Sequence, residues 1–215
     1  MAATETRLLV LGAVRLFEPV NGYQIRRELM SWEVDEWAHI NPGSIYSALS
    51  TLTRQGYVDR HDLVDGTREV AVYTTTEAGR DELTALFTSS LEKVRVLDPL
   101  PLHTALSMSV LFPRDVIVRH LERRLPALDA HLADLRDKRA VAASGLAPPH
   151  VVRVLDLQVS TAEVERAWVA ALLEDLRAGR LAFAGEPAGW QPAPDDPGWQ
   201  MHHDRERYKA LLAAR

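Results

Sequence analysis

The chain has 215 residues, a formal net charge of −5 and no cysteine. That length holds one domain of average size and a smaller one. The missing cysteines exclude a disulfide framework, thiolate catalysis and cysteine-ligated metal, and they suit a reducing cytoplasm. The N-terminus lacks a secretory signal pattern, and no apolar run approaches the ~18–20 residues that span a bilayer, so a cytoplasmic protein without a membrane partner is expected.

Taken in order, Thr6–Phe17 (TRLLVLGAVRLF) is apolar nearly all round. Such a helix is buried on more than one side, and Leu9 and Val10 are candidates for contact with a second copy of the chain. Pro19 ends it, and Asn21 can cap the next helix, Gly22–Trp32, with Ile25 and Leu29 on one face. Glu33–Ile40 reads as a loop. Asn41 then caps a helix opened by Pro42 at its first position, where the missing N–H is not needed. In Pro42–Gln55, Ile45, Ala48, Leu49 and Leu52 share one face at 3.6-residue spacing. Ser47, Ser50, Thr51 and Arg54 fall opposite, flanked by Ser44 and Tyr46. A face of small hydroxyls, one tyrosine and one arginine can enter a DNA major groove closely, because it offers hydrogen bonds without bulk. An ordinary solvated helix face has the same pattern, so the neighbouring elements must decide.

Gly56 stops that helix. Two alternating runs, Tyr57–Val64 and Thr67–Thr75, flank Asp65–Gly66, a strong two-residue turn signal, and predict a hairpin. Thr76 can cap a helix that ends before Pro99. Two helices, a recognition-type helix, a wing and a long helix predict a winged helix-turn-helix with a two-stranded β-wing over residues 1–98. The charge opposes this reading. Residues 1–90 hold eight Lys or Arg against thirteen Asp or Glu, a net of −5, whereas DNA-binding domains are usually basic. The contacts must therefore be few, well placed and sensitive to salt, and two copies would strengthen them.

The rest is predicted to be a helical dimerisation domain, 99–184, and a Pro/Gly-rich linker with a short final helix, 185–215. Leu121, Leu125, Leu128, Leu132 and Leu135 repeat at heptad-like spacing on a helix from Pro113 to about Ala143, which Pro126 should kink or break. Leu155, Val159, Ala162, Val169, Leu173 and Leu176 continue such a stripe on a second helix from His150 to about Leu181. The pair makes either a hairpin within one chain or a pairing surface between chains. In the tail, Trp190 and Trp199 suggest docking against another surface, with the partner subunit as one place for it.

GYQIRRELM, WAHINPGSIYSALSTLTRQGYV and YTTTEAGRDEL together resemble the PadR family of winged-helix transcriptional regulators. The most specific pieces are Pro42-Gly43-Ser44-Ile45-Tyr46 with Leu49 and Leu52, and Thr76-Glu77-Ala78-Gly79 with Leu83. The resemblance implies a homodimeric, mostly repressing regulator bound to operator DNA and often controlled by a small molecule. It places Tyr23, Ser44, Tyr46, Ser47 and the wing around Arg68 at the DNA. Thr51 and Arg54 join them from the face argument. Val64–Glu69 is less basic than such wings tend to be. Glu163–Trp168 with Leu172 and Leu173 is similar to the dimerisation region of longer members. It implies an interface through Leu121, Leu128, Leu132, Leu135, Trp168, Val169 and Leu173.

Phenolic acids and hydrophobic drugs are the effector classes that the resemblance suggests. Phe17, Trp32, Trp37 and Trp168 are the aromatic groups that could wall such a site. No cofactor or metal is expected. The chain has no phosphate loop, G-x-S-x-G or H-E-x-x-H motif, so an enzyme is not expected either. His202-His203-Asp204 invites a metal reading, but adjacent helical histidines point about 100° apart. His120 and His131 fit a solvated helix face. Two other readings stay open: a winged helix used as a protein-interaction module, and a small-molecule-binding protein without DNA binding.

Overall fold

The computed structural model describes residues 4–187, 191–196 and 198–214. Its centre is α1, Thr4–Phe17, with every residue from Leu8 to Val14 buried. The all-round apolar sequence has an intramolecular cause. α2 (Gly22–Ser31), α4 (Pro42–Arg54), α5 (Glu77–Glu92), α6 (Leu100–Ser107) and strand β3 (Arg68–Thr75) all pack around α1. Leu9 and Val10 have no exposed surface. They are covered by their own chain, so the expected contact with a second copy through α1 is replaced by core packing.

Local signals set the boundaries. The Asn21 side chain accepts the Gln24 N–H at 2.9 Å, and the Gln24 side chain accepts the Asn21 N–H at 3.1 Å. This capping box starts α2. The expected loop after α2 contains one helical turn, α3 (Val34–Trp37), between Glu33 and His39, both at positive φ. Asn41 caps α4 through the Ser44 N–H at 2.9 Å.

The sheet has three antiparallel strands in the order β1-β3-β2, where β1 is Val20–Asn21 and β2 is Val58–Asp65. A two-residue strand is too short to leave a periodic signal, and the sequence gives no hint of β1. Asp65 pairs with Arg68, so the turn is centred on Gly66–Thr67, one residue beyond the expected pair. Gly66, at φ 64°, supplies the left-handed backbone that the turn needs.

Thr76 caps α5 through the Gly79 N–H. Phe87 of α5 stacks on Phe112 at 3.7 Å between ring centroids, and the buried apolar cluster continues through α6 into the last two long helices. These are α7 (Arg114–Val141) and α8 (Pro149–Arg177), joined by a π-helical turn at Ala142–Leu146 with Gly145 at φ 96°. α7 runs unbroken through Pro126, contrary to expectation. The proline removes one backbone hydrogen bond. Leu121, five residues before it, and Leu128, two residues after it, are sealed in the core and hold the helix on course.

Leu121, Leu128, Leu132 and Leu135 of α7 are buried, as are Val169 and Leu173 of α8, which packs along it. Their surface is used up within one chain, which corrects the expectation that these side chains meet a partner. His120 is not on a solvated face. Its Nδ1 lies 2.6 Å from Glu92 Oε1, and hydrogen bonds from Arg123 and His120 hold the Glu92 carboxyl below its ordinary pKa.

Arg124 is 1% exposed and sits where three elements meet. It donates to Glu165 of α8 at 2.8 and 2.5 Å, and to the carbonyls of Leu91 and Lys93 at the end of α5, both at 2.9 Å. Arg114 ties down the following segment through Glu186 and the Leu176 and Leu181 carbonyls. The same guanidinium keeps the Glu186 carboxyl below its usual range.

The last helix, α9 (Gly198–Ala213), folds back onto the winged helix of its own chain. This replaces docking on a partner subunit. Trp190 lies outside the described residues.

Candidate DNA interface and effector cavity

α4 divides as its sequence pattern requires. Ile45, Ala48, Leu49 and Leu52 are buried. Tyr46, Ser47, Ser50 and Arg54 are exposed, and Ser44 and Thr51 are half-buried. The Ser44 hydroxyl lies 3.2 Å from the capping Asn41 Oδ1, so it is engaged in starting the helix as well as standing at its open end. A helix N-terminus with free N–H groups and a positive dipole end favours a phosphate.

Tyr23 and Tyr46 extend the same surface, at 58% and 46% exposure. The start of α2 lies close against Tyr46: a Cβ on Gly22 would lie 3.2 Å from Tyr46 Cε1. Arg26 lies over the Tyr23 ring, 5.5 Å from its centroid, and its buried Nε has no hydrogen-bond partner. This cation beside the helix-turn-helix was not among the site residues chosen from sequence. Its spacing from Tyr23, i to i+3 on a helix, is the signal that could have found it.

At the wing, Arg68 is exposed next to the turn, as expected. Arg60, two strand positions from the base, is engaged by Asp62 at 2.8 Å, and that carboxylate raises the Arg60 pKa. The wing's acidic residues thus neutralise one of its two cations. Arg54 and Arg68 are exposed, and Arg26 is half-buried over Tyr23.

The four aromatic residues chosen for an effector site separate. Phe17 and Trp32 stand 6.2 Å apart between ring centroids and wall one cavity of about 620 Å³. Trp37 donates its indole N–H to the Trp32 carbonyl at 2.8 Å and braces that wall from behind. Trp168 is on α8, 46% exposed, and takes no part. The opposite wall is Trp199 and Met201 of α9. The sequence showed no reason to bring residues 17, 32, 199 and 201 together, because the contact spans most of the chain. Among the described residues, no group of three His, Asp or Glu is placed to hold a metal, and no helix is long and apolar enough to cross a membrane.

Residues 10–85 match the model of the transcriptional regulator PadR-like family. No curated protein matches the chain. Similar solved structures include Bacillus subtilis PadR in complex with operator DNA, at 21% identity over 79% of this chain and 98% of that one, with a TM-score of 0.33. The PadR-like regulator BC1756 from Bacillus cereus is 22% identical over 79% and 94%, with a TM-score of 0.32. The protein smu.1604c from Streptococcus mutans UA159 is 16% identical over 78% and 98%, with a TM-score of 0.35. The family match takes in α2, α4 and both strands of the wing, so the winged-helix part of the chain is similar to the PadR-like transcriptional regulators.

Proposed function

We propose that the chain is a cytoplasmic, non-catalytic, homodimeric repressor that binds an inverted-repeat operator and responds to a small aromatic or hydrophobic effector. The observation that carries the DNA contact is the exposed face of α4, polar and small apart from Tyr46, with Arg54 at its end and Tyr23 and Arg26 beside its start. In this reading Tyr46, Ser47 and Arg54 meet base edges or phosphates in the major groove. Ser44 and Thr51 approach the groove wall, Tyr23 and Arg26 meet the flanking backbone, and Arg68 reaches the neighbouring one. Residues 1–98 bind DNA, 99–184 bring two copies together, and α9, in the 185–215 tail, folds back on the reading head.

A different set of side chains supports dimerisation. Val154, Leu157, Thr161, Val164 and Trp168 repeat at 3-4-3-4 spacing along α8. Val154, Leu157, Val164 and Trp168 are exposed, Leu157 and Val164 by about two-thirds. Among the described residues nothing covers this heptad seam, and a second α8 is the complementary surface for it.

The test is a gel shift on a duplex from the gene's own upstream region at low salt. Wild type is expected to shift it as a complex of two chains. Replacing Tyr46 and Arg54 together by alanine should weaken binding at least about thirtyfold, roughly two contacts at about 1–3 kcal/mol each, with an unchanged circular dichroism spectrum. Undiminished binding by the double variant would remove α4 from the interface. No binding by wild type would favour the acidic winged helix as a protein-interaction module.

A further inference from the structure

α9 touches the winged helix at functionally placed points. Its Tyr208 closes a small apolar cluster on the outer face of the sheet with Leu63 and Val72. Asn21 donates through Nδ2 to Tyr208 Oη at 3.0 Å, and Gln24 through Nε2 to Asp204 Oδ2 at 2.8 Å. These two residues are the capping box of α2, on either side of Tyr23. Arg205 donates to the Glu18 carbonyl at 2.7 Å, and Arg207 pairs with Asp65 at the wing turn, 2.9 Å away. One helix therefore holds both the start of the helix-turn-helix and the tip of the wing.

The first turn of that helix is also a wall of the 620 Å³ cavity. Ligand pockets are commonly about 300–1,000 Å³, mostly apolar with a few polar groups. Phe17, Trp32, Trp199 and Met201 supply apolar and aromatic surface here. The charges at its edge are already engaged. Arg27 pairs with Glu28 at 2.8 Å, Asp196 accepts the Gly198 N–H at 2.6 Å, and Arg205 donates to Glu18. The two arginines and two carboxylates in the lining sum to zero, so the cavity has no net charge to favour an ionic ligand.

We infer that this cavity binds a neutral, flat, largely apolar molecule between α2 and α9, and that α9 carries its occupancy to the wing. The second half rests on the DNA-binding reading above, and the first half does not. A helix of this length is a stiff rod of about 24 Å. A ligand that repositions its first turn also repositions Asp204, Arg207 and Tyr208, and with them the wing relative to α4.

The probe is N-phenyl-1-naphthylamine, a neutral aromatic dye that brightens in apolar surroundings. Full-length wild type is expected to bind it saturably, with one site per chain. Ser31 is exposed at the cavity edge, so Ser31→Trp can fill the space without disturbing the core and should weaken the dye at least tenfold. Absence of saturable binding, or binding untouched by Ser31→Trp, overturns the site. With dye bound, the affinity of wild type for the upstream duplex should change at least fivefold, the lower end of typical coupling. The variant Arg207→Ala with Tyr208→Phe should keep dye affinity within twofold and lose that response. A DNA affinity indifferent to the dye in wild type, or a response that persists in the variant, overturns the lever. Wild type that binds dye but no DNA refutes the regulator reading and leaves the cavity established.

Discussion

Arg124→Ala is expected to destabilise the protein by about 3–5 kcal/mol, because it breaks a buried charge pair and leaves one partner behind. The guanidinium is almost fully enclosed and has four short hydrogen bonds, two to Glu165 and one each to the Leu91 and Lys93 carbonyls. Removing it strands a carboxylate with 12% side-chain exposure and two carbonyls at the end of α5 that no longer have helical donors. Thermal unfolding should fall by about 10 °C, at about 2–4 °C per kcal/mol for a chain of this size. Because Arg124 joins α5 to α7 and α8, hydrogen exchange should rise first at the end of α5. Adding Glu165→Met to Arg124→Met should recover part of the loss, since the unpaired carboxylate is then gone. A single variant as stable as wild type would mean that the three-element junction contributes little.

Gly79→Ala is the second large effect, at about 3 kcal/mol or more, as an overpacking change against rigid backbone. A Cβ at this position would lie 1.9 Å from the Tyr57 carbonyl oxygen. That oxygen already accepts the Thr76 N–H at 3.1 Å, while the Thr76 hydroxyl donates to the Gly56 carbonyl at 2.7 Å. The start of α5 and the foot of the wing are therefore pressed together, and one must move. Gly66→Ala is the control. Nothing lies within 4 Å of its added Cβ, so only the left-handed backbone resists it, at about 1–2 kcal/mol. Chemical denaturation of the two variants compares a clash with strain. Equal losses would contradict the close approach at Gly79.

These two positions show where the sequence was readable. Gly79 lies in Thr76-Glu77-Ala78-Gly79, a string legible as a cap and as a family piece, and the structure adds the carbonyl that makes glycine necessary. The winged helix was readable because its signals are local: Asn41 before Pro42, four apolar residues on one face of α4, a glycine turn between alternating strands. Arg124 was not readable. It is one arginine in a helix rich in them, and only the arrival of α5 and α8 separates it from its solvated neighbours Arg119 and Arg123. The heptad stripes were visible, but a stripe does not say whether its partner is in the same chain. Leu121–Leu135 and Val169–Leu173 face each other within one chain, and the outward stripe ending at Trp168 is masked in the sequence by the charged residues around it. Phe17 and Trp32 line the cavity from the first part of the chain. Its other half arrives from residues 199 and 201, a separation at which neither periodicity nor capping carries information.

The charge balance makes the central claim measurable. If Arg26, Arg54 and Arg68 of two chains neutralise about six phosphates, affinity should fall roughly 10³-fold between about 50 and 200 mM salt. Fluorescence anisotropy of a labelled upstream duplex, titrated with full-length protein across that range, measures the slope directly. Saturable binding at low salt that fades this steeply is the predicted result. No binding at low salt, or an affinity that does not change with salt, would contradict a reading head built on α4 and these few arginines.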